Sequence, residues 1–172
     1  MANKGQEKEG ISKNGEPCLL FALGGEAFAI RIDALREIIS PEGMRALPSP
    51  DFRYWGDLNF RGQRIPVLRI SDFFQYPAPT GESISVLVMG SEKTPYGLLV
   101  DMVKGVWNIR SKELSPLPPL ATYLDPHFFQ GIGRGKAGAL FLLNEERLSQ
   151  MQEIRFFYKG QEDTPQDHPE SC

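Results

Sequence analysis

Two histidines, two cysteines, a glycine run ending in lysine and one strand-end aspartate are the groups in this 172-residue chain whose types suit chemistry. His127 sits in the proline-interrupted stretch Asp125-Pro126-His127-Phe128-Phe129, whereas a phosphoacceptor histidine calls for a helix face. His168 stands beside Asp167 and Pro169 in a polar C-terminal run. Cys18 and Cys172 lie far apart, so no disulfide framework is readable, and reduced thiols suit an intracellular setting. No Cys or His pair has metal-ligand spacing, which argues against a structural zinc site. Gly131-Ile132-Gly133 with Gly135-Lys136 invites a phosphate-loop reading, but Ala137 stands where that loop needs Ser or Thr, and a strand pattern follows instead of a helix. Asp101 ends the apolar run Leu99-Val100 as a phosphorylated aspartate does, yet the alternating strand–helix units of such a domain are missing. The inventory is too poor for an enzyme, and no cofactor is expected.

The elements that carry these residues read as strands. Leu19, Phe21 and Leu23 alternate with Leu20 and Ala22, and Phe28, Ile30 and Ile32 alternate with Ala27, Ala29 and Arg31 beyond Gly24-Gly25. Two period-2 runs joined by two glycines predict a tight hairpin, because a primed turn needs positive φ. A second hairpin is expected from Trp55–Phe60, the turn Arg61-Gly62, and 63–70, with Pro66 placing the returning strand at an edge or bulge. A third pairs 84–89 with 96–100, followed by a strand at 103–109, and a last one pairs 129–133 with 139–143. Asp33 caps a short helix carrying Leu35, Ile38 and Ile39, and Asn144 caps a closing helix with Leu148, Met151 and Ile154 or Arg155 inward. Many short strands with frequent turns argue for small barrels and against a parallel sheet with crossover helices.

Composition allows one domain or two small subdomains. A chain of this length buries roughly 70% of the surface its unfolded form exposes. The net charge of −3, from 19 basic and 22 acidic residues, supplies no global field for nucleic acid or anionic membrane. Residues 1–16 and 158–172 read as disordered tails around a folded body at 17–157, and 77–82 as the boundary between two barrel halves. The N-terminus lacks the apolar core of a secretory signal, and no apolar run approaches the roughly 20 residues of a membrane span.

Four segments in order resemble CheW-like chemotaxis coupling proteins. Gly56-Asp57-Leu58-Asn59-Phe60-Arg61-Gly62-Gln63-Arg64-Ile65-Pro66-Val67 resembles that family's G-x-x-N-L-R-G-x-x-x-P-V signature, and Gly97–Val103 resembles its G-L-x-V-D-x-V segment. Residues 20–30 with 35–39 are similar to its opening, and Gly131-Ile132 with 140–143 to its closing strands. The resemblance implies two SH3-like β-barrels of about five strands each, packed on a shared apolar seam. It also implies a non-catalytic, cytoplasmic adaptor. Its partners would be the regulatory domain of a CheA-type histidine kinase and the cytoplasmic tip of a methyl-accepting chemoreceptor. Arg69 and Asp57 depart from the pattern, where the family often has an acid and an apolar residue respectively.

Arg61 sits at a hairpin tip, where a guanidinium can project and make several directed hydrogen bonds but where a solvated turn arginine is the commoner case; the resemblance, which associates this arginine with receptor and kinase contact, makes it the leading interaction residue. Asn59 reads as a strand-end amide, and Gly56 and Gly62 as backbone requirements. Ile38, Val100 and Val103 are set either in plain core or along a groove for an apolar helix, with Glu37 beside it. Asp101 joins this interaction set. Ser115-Pro116-Leu117-Pro118-Pro119-Leu120 reads as a rigid connector or, second, a polyproline ligand. The competing function is single-stranded nucleic-acid binding, through aromatics and cations interleaved among Phe52, Arg53, Tyr54, Trp55, Phe60, Arg61, Arg64 and Arg69.

Overall fold

The computed structural model describes residues 15–46, 54–79, 81–118, 125–136 and 138–162. Strands β1 (Glu16–Leu23) and β2 (Glu26–Arg31) form the first hairpin, and a single 3-10 turn at Ile32–Ala34 leads into β3 (Leu35–Ile39). After β4 (Arg45–Ala46), the hairpin of β5 (Tyr54–Phe60) and β6 (Gln63–Leu68) turns at Arg61-Gly62. β7 (Ser85–Gly90) and β8 (Pro95–Val100) follow, then β9 (Met102–Ile109), β10 (Phe129–Gly135) and β11 (Gly138–Leu143). The chain closes on α1 (Glu145–Ser149) and α2 (Gln152–Glu162).

Two sheets result, ordered β10-β11-β2-β1-β9 and β3-β7-β8-β6-β5-β4. They are called barrel A and barrel B below. Barrel B is therefore an insertion in barrel A, and the chain crosses between them twice, at 32–34 and at Asp101. The expected boundary at 77–82 is incorrect: that stretch connects β6 to β7, which belong to the same sheet. Proline and glycine there marked a loop, and loop composition says nothing about which sheet the next strand joins.

The expected helix over Leu35–Ile39 is a strand. Apolar residues at Leu35, Ile38 and Ile39 satisfy helical spacing over so short a run, but pairing with β7 decides the outcome. Adjacent β-branched isoleucines also favour a pleated surface. Only the 3-10 turn around Asp33 remains of the predicted helix. Pro66 was expected at an edge or bulge, yet β6 lies between β5 and β8. The proline is accommodated because the ladder to β8 begins one residue later, at Val67.

Both faces of the central strands are covered, which explains their dense apolar runs. Alternate residues divide between a barrel interior and the seam: Val86 and Val88 line barrel B, while Leu87 and Met89 face the shared core. That core draws Phe21, Phe28 and Ile30 from barrel A, Leu68, Leu98 and Val100 from barrel B, and Leu148, Met151 and Ile154 from the closing helices and the break between them. Leu117 also packs against it, which supports the connector reading of its proline-rich segment; Pro119 and Leu120 lie outside the described residues.

Asn144 caps α1 as its side chain suggests, accepting from the Arg147 N–H at 3.2 Å. Glu145, read from sequence only as a partner for the helix dipole, is buried. It accepts from the Arg31 backbone N–H at 2.7 Å and the Gln130 side chain at 3.1 Å, pinning the helix to barrel A. Tyr158 donates to the Pro95 carbonyl in barrel B. The closing helix breaks at Gln150–Met151 and runs to Glu162, past the expected limit of 157. The two tails expected at 1–16 and 158–172 otherwise fall largely outside the described residues.

Candidate protein-interaction site

The β5–β6 turn aims one cation across the sheet. Arg61 and Gly62 adopt φ of 50° and 81°, so both central residues occupy the left-handed region that a two-residue primed turn demands. Asn59 accepts from the Gly62 N–H at 3.0 Å through its side-chain oxygen and stabilises that turn locally. A left-handed conformation costs a residue with a Cβ about 1–2 kcal/mol, so Arg61 is held in its place by surrounding structure.

Two contacts do so. The Arg61 guanidinium lies 5.0 Å from the centre of the buried Phe60 ring and donates to Glu37 on β3 at 3.1 Å. From the other strand, the Arg36 guanidinium sits 5.8 Å from the same ring and donates to the Ser91 carbonyl at 2.8 Å. Phe60 is thus the platform for two cations, and Glu37 pairs with one of them, Arg61. Ile38, next along β3, is 43% exposed. Arg61 is 67% exposed at its side chain, so the pair with Glu37 is worth at most about 1 kcal/mol and opens readily toward a partner.

Of the residues singled out from sequence, the fold brings together Arg61, Asn59, Gly62, Glu37 and Ile38. Gly56 is a packing requirement on β5: a Cβ there would overlap the Arg45 carbonyl. Val100 is fully buried in the shared core, so it offers no surface to a partner. Val103 is half-buried against the same core. Asp101 accepts from the Gly24 N–H at 2.9 Å, and its own N–H donates to the Ala22 carbonyl at 3.0 Å. It clamps the second barrel crossing to the first hairpin turn, which accounts for an acid at that strand end.

Phe60 and Arg36 were not assigned to this site from sequence. The signal for Phe60 was its inward phase with Leu58; Arg36 had none, because the reading of β3 as a helix hid its alternation. Asp57, a departure from the family pattern, is only 5% exposed and forms ion pairs with Arg45, at 3.0 Å, and with Arg64. Arg69 pairs with Asp72 at 2.7 Å. Both departures are satisfied within the chain.

These pairings do not favour the nucleic-acid reading. Arg61, Arg64 and Arg69 each hold a carboxylate, and Phe60 is buried, so no stacking platform with free cations forms from them. Phe52 and Arg53 lie outside the described residues. His127 hydrogen-bonds its neighbour Asp125, at 2.8 Å on the surface, which holds that carboxyl below the usual range through the bonds it accepts. Among the described residues, no three His, Cys, Asp or Glu side chains gather as metal ligands, and no helix is long and apolar enough to cross a membrane.

Known proteins resemble this chain in sequence and in fold. The chain is 28% identical over 142 residues to the chemotaxis protein CheW of Klebsiella aerogenes, covering 81% of this chain and 85% of that one. It is 24% identical to the Rhizobium meliloti chemotaxis protein CheW, over 71% of this chain and 79% of the relative. The crystal structure of the scaffolding protein TtCheW from Thermoanaerobacter tengcongensis superposes with a TM-score of 0.71 at 21% identity, covering 88% of this chain and 96% of that one. The family model described as the CheW-like domain matches residues 17–153, from the first strand of barrel A into the second closing helix. This chain belongs to the CheW-like family.

Proposed function

We propose that the chain is a non-catalytic coupling adaptor in chemotaxis-type signalling. It holds the regulatory domain of a CheA-type histidine kinase against the cytoplasmic tip of a methyl-accepting chemoreceptor. The observation that carries this reading is the span of the family match, which takes in both barrels and the shared core. The work is geometric and uses no cofactor or nucleic acid. An adaptor with one continuous core moves as a unit, so a displacement at the receptor reaches the kinase and biases its equilibrium. The protein acts in the cytoplasm and reaches receptor arrays through its partners.

Ile38 supplies exposed apolar contact on β3, and the Arg61–Glu37 pair beside it supplies selectivity. Opening that pair exchanges an internal charge contact for an intermolecular one at little cost, because it is already solvated. Arg61→Glu sets two carboxylates facing each other at Glu37 and abolishes co-purification with the receptor or the kinase, while the melting temperature stays nearly unchanged. Intact binding by the folded variant would remove this site from the reading.

A further inference from the structure

The end of barrel A is a cup that shares no lining residue with the Arg61 site. It measures about 560 Å³ and is walled on four sides: Leu20 on β1, Gly25 to Ala27 at the first turn and β2, Lys104 to Trp107 on β9, and the β10–β11 turn with Leu140. Small-molecule sites span about 300–1,000 Å³ and combine apolar walls with a few directed polar groups. The barrel A interior mixes two small side chains with Ile109 and two leucines. Cys18 and Ala29 are buried inside it with Leu140 and Leu142, while Leu20 and Ala27 are left half-covered at its opening.

Charge and shape narrow the occupant. Lys104 and Lys136 stand at the rim against a single acid, Glu26, so the opening favours an anion. The Lys136 ammonium lies 6.0 Å from the Trp107 ring centre, reaching from the β10–β11 turn to β9. An ammonium over an exposed indole is a weak contact that a ligand can displace. An extended peptide fits poorly: walls on four sides leave no running groove, and Lys104 is the extra residue at the irregularity between β9 and β1, where it blunts the sheet edge.

We propose that this cup binds a compact amphipathic anion, an aromatic or branched apolar carboxylate. Its apolar body lies against Trp107, Leu20 and Leu140, and its carboxylate is held by Lys136 and Lys104. The site stands on barrel A alone, independent of the coupling reading.

The test titrates the full chain with 2-naphthoate and, separately, with its uncharged carboxamide, followed by calorimetry and amide resonances. Naphthoate is expected to bind saturably, moving Gly105, Trp107 and Gly138, with the carboxamide weaker by about tenfold or more. Lys104→Glu and Lys136→Glu, both exposed, lower naphthoate affinity by about the same factor while the remaining resonances stay in place. No saturable change at those residues up to about 5 mM, equal binding of acid and amide, or undiminished affinity in the lysine variants would each overturn the proposal. So would a short acidic peptide with one phenylalanine that binds there more tightly than naphthoate.

Discussion

Barrels A and B share a strand count near five but fill their interiors differently. Barrel B packs Leu58, Phe60, Ile65, Val67, Val86, Val88 and Leu99 into a closed core. Barrel A buries the small Cys18 and Ala29 beside Ile109, Leu140 and Leu142, and it stays open at one end. Their hairpin turns differ in the same sense. Gly24-Gly25 in barrel A has φ of 57° and 83°, almost the values of Arg61-Gly62 in barrel B, yet only barrel B places a long side chain there. At Gly24 the Tyr76 ring forbids a Cβ, which would lie 2.7 Å away, where the matching first turn position of barrel B carries Arg61; the second positions, Gly25 and Gly62, both have open space around them. The solid barrel can hold a strained arginine at its rim. The thin-walled one keeps space.

Truncating each interior is the strongest way to break this contrast. Leu99→Ala in barrel B is expected to cost about 3–5 kcal/mol, and Leu20→Ala at the half-covered mouth of barrel A less than about 2 kcal/mol. Denaturant midpoints at an unchanged slope measure both, and equal losses would dissolve the distinction. The turns come next. Gly24→Ala meets both Tyr76 and an adverse φ, for a loss of about 2–4 kcal/mol. Gly62→Ala meets only the adverse φ, for about 1 kcal/mol.

A pH effect probes the interior of barrel A. Burial first, then the Glu145 and Glu16 carboxylates, push the Cys18 thiol from 9.0 to about 11. A proton held more tightly in the folded state contributes stability that is complete below the unfolded value and is lost as pH rises toward the folded one. The stability advantage of the parent over Cys18→Ala therefore shrinks between pH 9.0 and about 11. A pH-independent difference across that window would place the thiol in contact with water.

The smallest expected change sharpens the turn comparison most. Arg61→Gly relieves the left-handed strain and forfeits the Phe60 and Glu37 contacts. Stability then moves by no more than about 1 kcal/mol while partner binding is lost.

Much of this was legible in the sequence because hairpins are local. Period-2 alternation and paired turn residues are sufficient to mark β1–β2, β5–β6, β7–β8 and β10–β11. What stayed hidden depends on contacts distant along the chain. β3 was read as a helix since its partner β7 lies some fifty residues on, and the barrel boundary was misplaced for the same reason. Val100 and Asp101 differ in exposure and role although adjacent, because one faces the seam and the other reaches back 77 positions to Gly24. Arg61 was found from its turn, but its partner Glu37 is 24 positions away and its platform Phe60 was hidden in the core phase.

The insertion of barrel B into barrel A has a mechanical corollary. Two covalent tethers, at 32–34 and at Asp101, join bodies that already share a glued face, so rotation of one against the other would have to shear the glue and stretch both tethers together. Such a joint has no swivel. The molecule behaves as a torsion-resistant strut, delivering whatever tilt it receives at one end to the other without slack.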